Sequence, residues 1–283
     1  MTDRPSARRV LLMAAALTII PVPCAAASVP ELPSYTGYAD LADLALGAPL
    51  VVIATIHSAS RLTPAEAPDV PAGKARFYVT ANVTALLKGR GGVPPEISYL
   101  VDVPLDARGR PEKLKKAPVV IFASPVAGRP GELRLTAPDA QIGATPEAES
   151  RLRGILTAAI APDAPPHITG IGHAFYVPGS IPGESETQIF LTTEDDRPVS
   201  LSVLRRPGEE PRWAVALSEM TDEAAKPPAR DTLLWYRLAC ELPPALPDAS
   251  IGDLSPENAR AAAADYDLVL AGLGPCGRTR KIG

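Results

Sequence analysis

Phe77-Tyr78-Val79-Thr80-Ala81-Asn82-Val83-Thr84-Ala85-Leu86-Leu87-Lys88-Gly89 is the stretch that decides the fold. Phe77, Val79, Ala81, Val83 and Ala85 alternate with Tyr78, Thr80, Asn82 and Thr84. Successive side chains of a strand point to opposite faces, so this period of two predicts a long half-buried strand over 77–87. Lys88-Gly89-Arg90-Gly91-Gly92 makes the turn after it. Upstream, 50–56 is a near-continuous β-branched run that reads as a buried strand, followed by a Pro-rich loop over 63–73. A short helical pattern over 38–46 places Leu41, Leu44 and Ala45 on one side and stops at Gly47-Ala48-Pro49. Downstream, Ile97, Tyr99, Val101 and Val103 share one face of a strand over 97–103. A basic loop over 106–116 leads to the aliphatic-aromatic strand 118–122, and 132–136 closes the set. Five short strands at this spacing predict a sandwich or a barrel.

The order of these segments carries a resemblance. An aliphatic strand, a loop, a long alternating strand ending in Leu87-Lys88-Gly89, another strand, and then Val119-Val120-Ile121-Phe122 resembles the netrin-type module. That module is the OB-fold barrel of tissue inhibitors of metalloproteinases and of complement and netrin C-terminal domains. The resemblance covers residues 38–137 and implies an OB-like barrel with a binding rather than a catalytic role. Those families are rich in cysteine, and this segment has none. The metalloproteinase inhibitors reach the metal through an N-terminal cysteine, so no inhibitory residue carries over to this chain.

Beyond 137 the pattern changes twice. Thr145 reads as an N-cap with Pro146 in the first helical position. Leu152, Ile155, Leu156, Ala159 and Ile160 then form an amphipathic stripe, which Pro162, Pro165 and Pro166 end. Segments 167–177, 187–193, 198–204 and 212–217 read as four short strands. Short turns rich in Gly, Pro and acidic residues join them and favour an antiparallel meander. Two helices follow: 231–241, with Leu234 and Leu238 on one face, and a last helix opened by Ser255-Pro256-Glu257 and stopped at Gly272 or Gly274.

The beginning of the chain predicts where the protein works. Arg4, Arg8 and Arg9 precede an apolar run over 10–20, and Cys24-Ala25-Ala26-Ala27-Ser28 follows. A basic region, a short apolar core and a small-residue cut site predict a secretory signal peptide over 1–27, cleaved between Ala27 and Ser28. The alternatives are a lipoprotein acylated at Cys24 and a twin-arginine signal at Arg8-Arg9. The apolar run is too short to span a bilayer, and no later stretch is long enough once the signal is removed. Export brings the late cysteines into an oxidising compartment, which predicts a disulfide between Cys240 and Cys276. The formal net charge of −4 argues against nucleic acid as a partner, because its binders carry a basic surface. The 33 prolines and 21 glycines, about a fifth of the chain, sit between apolar segments and punctuate short elements rather than mark disorder.

Candidate chemistry is sparse. His167 and His173 lie six residues apart, ~20 Å along one strand face, too far for a shared metal. Gly179-Ser180-Ile181-Pro182-Gly183 lacks the spacing of a nucleophile elbow. Arg205, Arg206, Arg212 and Trp213 sit together around one predicted hairpin and form a candidate anion or partner patch; the alternative pairs those arginines with Glu209, Glu210 or the Asp195-Asp196 turn. The pattern assigns no catalytic residue, no metal and no cofactor.

The fold class expected is mainly β with α+β content: an N-terminal five-stranded OB-like barrel and a C-terminal antiparallel meander with two helices. The organisation expected is a signal peptide over 1–27, the barrel over 28–140, a helix and Pro-rich linker over 141–166, and a disulfide-stapled α+β unit over 167–283. The function expected is non-enzymatic: an exported, periplasmic protein of the cell envelope that binds a protein or small-molecule partner. The alternative is a hydrolase working around His173, Ser180 and Glu184, and a third reading, a secreted protease inhibitor, rests on the resemblance alone.

Overall fold

A computed structural model describes residues 37–217 and 226–280. The expected signal peptide, its cut between Ala27 and Ser28, and Cys24 lie outside the described residues. Helix α1 (Tyr38–Gly47) leads into β1 (Leu50–Arg61), β2 (Lys74–Lys88), β3 (Glu96–Pro104), β4 (Pro118–Pro125), β5 (Glu132–Leu135) and β6 (Gln141–Gly143). Strand order is β1-β2-β3-β5-β4, and β1 also pairs with β4, so the five strands close into a barrel. All pairs are antiparallel except β3 with β5, which run parallel. The mixed, closed five-stranded barrel is consistent with an OB-like fold.

The alternation read in the sequence is the alternation that builds the core. Ala75, Phe77, Val79 and Ala81 of β2 and Ile97, Tyr99, Val101 and Val103 of β3 all point inward and are buried. Strand β1 runs past the apolar segment to Arg61, because Ser58 to Arg61 pair with Thr80 to Phe77 of β2. Three register shifts along that pair bend the strands around the barrel. Strand β4 is buried through Val119 to Ala123, since β1 lies on one edge and β5 and β6 share the other. The short β6 has too few residues to show a period. The Lys88 ammonium, singled out by the resemblance, donates to the Ala45 and Leu46 carbonyls at 3.0 and 2.9 Å. It thereby caps the carbonyl end of α1, and burial pushes its pKa down.

Helix α2 (Pro146–Ile160) starts at Thr145, whose hydroxyl accepts from the Ala148 amide. Leu152 and Ile155 of its stripe are buried, but Ile160 is 85% exposed, so the stripe outruns the surface it covers. The second sheet holds β7 (Ile168–Pro178), β8 (Ser185–Thr193), β9 (Val199–Arg205) and β10 (Arg212–Ala216), in the antiparallel meander order. Helices α3 (Leu233–Glu241) and α4 (Pro256–Leu273) follow. The buried Asp265 carboxylate of α4 accepts from the Thr187 hydroxyl of β8 and pairs with Arg205 of β9 at 2.6 Å. Gly272 of α4 lets the Trp213 ring of β10 come close: a Cβ there would lie 2.5 Å from the indole nitrogen.

One hydrophobic core runs from the barrel through α1 and α3 into the second sheet. Tyr38 stands edge-on to Trp235 at 6.3 Å, and the Tyr236 hydroxyl meets Asp43. Cys240 and Cys276 form a disulfide, tying the end of α3 to the tail after α4. Burial raises the Tyr38 hydroxyl from 10.0 to about 12, helped by nearby Asp231. Burial likewise raises Tyr99, Tyr236 and Tyr266. A folded pKa above the unfolded one means the unfolded chain loses its protons first as pH rises. Stability is therefore expected to hold up to about pH 10 and to fall between about 10 and 12. Thermal unfolding followed by circular dichroism across that range, with phenolate absorbance alongside, checks it.

Candidate functional site

The clearest concavity lies on the outer face of β2, β3 and β5, with a volume of about 610 Å³. Its origin is topological. Strands β3 and β5 pair only at Ser98 with Glu132 and Tyr99 with Leu133. On its other side β5 pairs with β4 from Leu133 to Leu135, so its pairing continues there after the pairing with β3 has stopped. Thr136 and Ala140 stay bonded to Phe122 of β4, and between them the Pro138 carbonyl reaches β3, accepting from the Asp102 amide at 2.7 Å. A groove opens where β3 and β5 cease to pair.

Its floor comes from positions facing outward. Tyr78 of β2 and Leu100 of β3 are cross-strand partners, 47% and 45% exposed. Neighbouring side chains opposite one another across a ladder are close enough to act as one surface. Arg129 and Arg134 line the β5 side. Arg129 pairs with Glu132 at 3.0 Å, whereas Arg134 is exposed and has no ion-pair partner among the described residues.

The far end of the groove is held by a charged clamp. Arg76 Nε and Nη2 donate to the two Asp102 oxygens at 2.7 and 3.0 Å. Its Nη1 donates to both Asp69 oxygens at 2.9 and 3.0 Å. The Asp102 hydrogen bond leads in holding the guanidinium protonated above the ordinary arginine range, and Arg76 holds the Asp69 carboxyl below its own. Asp102 faces outward yet is 3% exposed, with Arg76 paired across both its oxygens. This arginine is committed to joining β2, β3 and the β1–β2 loop. The charge left for a ligand is that of Arg134.

The residues singled out by sequence lie elsewhere. Arg205 and Trp213 face α4, Arg205 bonded to Asp265 and Trp213 packed on Gly272. Arg212 faces the opposite side, 3.6 Å from Glu209, and Arg206 is exposed in the turn. Neighbours along a strand alternate faces, so this hairpin does not gather the four into one patch. Ser180 and Glu184 meet, but through the Ser180 amide, which donates to Glu184 at 3.2 Å. His173 sits at the β7 bulge between Ile171 and Ala174, five positions from the strand's end at Pro178 and ~15 Å or more away. His167 meets Glu241 at 3.1 Å and Arg237 at 2.7 Å beside α3.

Tyr78, Leu100 and Arg134 escaped notice because each belongs to an outward position of a well-patterned strand. One signal was present: an aromatic among the polar Thr80, Asn82 and Thr84 on the solvent face of β2. A second exposed apolar surface lies on the open face of the meander, where Phe175 and Phe190 stack edge-on at 5.9 Å. No group of three or more His, Cys, Asp or Glu that can hold a metal ion occurs among the described residues, and no helix there is long and apolar enough to cross a membrane. No protein-family model matches the chain, and a search of curated proteins finds no match.

Proposed function

We propose that this is an exported, non-enzymatic binding protein of the cell envelope, periplasmic in location, that takes a ligand in the groove on β2, β3 and β5. The observation that carries this reading is the groove itself: an open cleft of about 610 Å³ with an exposed aromatic-aliphatic floor and an uncommitted arginine. OB-type barrels bind through the face of their second and third strands and the flanking loops, which is where this groove lies. Its volume falls within the ~300–1,000 Å³ of small-molecule sites. The Cys240–Cys276 disulfide supports a life in an oxidising compartment, as the predicted signal over 1–27 does. The enzyme reading around His173, Ser180 and Glu184 gains no comparable support, since their side chains do not converge.

Native mass spectrometry after incubation with envelope extract tests the proposal. The wild-type protein is expected to retain an adduct that Tyr78→Ala with Arg134→Gln reduces at least about tenfold, the scale of one or two lost contacts. Arg153→Gln, on the exposed face of α2, is expected to leave it unchanged. No adduct, or one equally abundant on the groove variant, overturns the reading. The mass of protein recovered from the periplasm reports the expected cut between Ala27 and Ser28.

A further inference from the structure

We infer that the open face of the second sheet, away from the groove, is a self-complementary interface that pairs this protein with a second copy of itself, sheet on sheet. The inner face of β7–β10 packs on α4, with Trp213 and Thr187 turned toward that helix. The opposite face carries Phe175 and Val177 of β7 and Phe190 of β8, all exposed. Phe175 and Phe190 stand edge-on to each other and form one ridge. Large apolar side chains gathered on one face, rather than scattered singly, mark an interaction surface.

Register fixes what stands beside that ridge. Phe175 is followed across the ladder by Gln188 of β8, Ser202 of β9 and Ala214 of β10. Phe190 is opposite Ser200 of β9. Along these two rows the β7–β8 half of the face is tall and the β9–β10 half is low. A two-fold axis running along the strands, above the boundary between β8 and β9, lays β7 over β10 and β8 over β9 of the second copy. Phe175 then stands over Ala214 of the partner subunit and Phe190 over Ser200 of the partner subunit. The same contacts recur in reverse, as a two-fold interface requires. Sheets packed in this way lie ~10 Å apart with their strands nearly aligned. An aromatic ring above a small residue fills that gap.

Charge repeats the same symmetry. The neighbouring row runs Val177, Glu186, Leu204, Arg212 across the four strands. Within one copy Glu186 and Arg212 are two strands apart, roughly 10 Å, with Leu204 between them. Arg212 leans instead on Glu209 at 3.6 Å, an exposed contact of little worth. The two-fold axis sets Arg212 of the partner subunit over Val177, one strand from Glu186, so two identical Glu–Arg pairs close that end of the interface. A membrane surface fits this face less well. Anionic lipid attracts apolar patches framed by Lys and Arg, whereas here Glu186 stands between Val177 and Leu204 on a chain of net charge −4. A four-stranded face is small for a protein interface, so association is expected in the micromolar range.

Sedimentation equilibrium of the exported protein, from about 1 μM to about 1 mM, tests the inference. Wild type is expected to pass from monomer to dimer within that range. Phe175→Ser with Phe190→Ser is expected to raise the dissociation constant at least about tenfold and to leave the circular dichroism spectrum unchanged. Glu186→Arg alone and Arg212→Glu alone are each expected to weaken the dimer about tenfold, since each sets like charges against each other across the axis. The two together are expected to return it to within about threefold of wild type. Monomer at every concentration overturns the inference, as does a dimer that the phenylalanine pair leaves intact. Single reversals without effect, or a double reversal without rescue, overturn it as well. If the phenylalanine variant fails to fold, the charge reversals decide alone. Vesicles of phosphatidylethanolamine and phosphatidylglycerol provide the rival outcome: a monomer that sediments with them, and ceases to when both phenylalanines are replaced, assigns the face to a membrane and overturns the dimer.

Discussion

Replacing Asp102 by alanine is expected to lower the unfolding free energy by about 3 kcal/mol and to open the end of the groove. Breaking a buried pair by removing one partner costs ~3–5 kcal/mol, because the remaining charge is left without its counterpart. The lower end applies here, since Arg76 keeps Asp69 and its side chain is 17% exposed. The barrel loses the side-chain bridge that joins Arg76 of β2 to β3, while the backbone bond from the residue 102 amide to the Pro138 carbonyl remains. Replacing both partners with apolar residues of similar size, Arg76→Met with Asp102→Leu, is expected to recover most of the stability without restoring the clamp. Urea unfolding of the two variants, read beside ligand retention, separates support of the barrel from shaping of the groove. A cost for Asp102→Ala within ~0.5 kcal/mol, typical of an unconstrained surface change, would show that the clamp holds nothing.

Removing the disulfide with Cys240→Ser and Cys276→Ser is expected to cost roughly 3–4 kcal/mol, the chain-entropy value for its separation of 36 residues. The consequence should reach further than the second sheet. Immediately after Cys276, the tail locks onto the first helix: Arg278 bonds Asp43 at 2.6 and 2.8 Å. The amides of Thr279 and Arg280 donate to the wholly buried Asp40 at 2.9 and 3.0 Å. Arg280 also reaches Asp139, beside the groove, at 3.1 Å. Without the covalent anchor, the tail must hold its place by non-covalent contacts, so its amides are expected to exchange sooner than the amides of β4. Hydrogen exchange of oxidised and serine-substituted protein checks this. Equal protection of Thr279 and Arg280 in both forms would mean that the carboxylates suffice without the bridge.

Much of the architecture was legible in the chain. The inward rows of β2 and β3 follow directly from their period of two, and the caps at Thr145 and Ser255 mark helix starts that the structure places one residue later, at Pro146 and Pro256. The resemblance to the netrin-type module pointed to a barrel, and a closed five-stranded barrel is what forms, without a family match behind it. Less was legible where an element owes its existence to a neighbour. The polar half of β1 is a strand because β2 is there to pair with it. Strand β6 exists because β5 leaves part of β4's edge open. Ile160 completes a helical stripe in sequence but has nothing beneath it.

The candidate site belongs wholly to that second class. Tyr78, Leu100 and Arg134 come from three strands, and each looks like an ordinary outward residue when its own strand is read alone. Alternation and spacing are local properties: they decide which face of each strand is buried, how many strands there are, and which two late cysteines are available to pair. Whether outward side chains stand together depends on which strands become neighbours and where their pairing ends. That was settled by closing the barrel, which set β5 between β3 and β4 and ended its pairing with β3 after two residues.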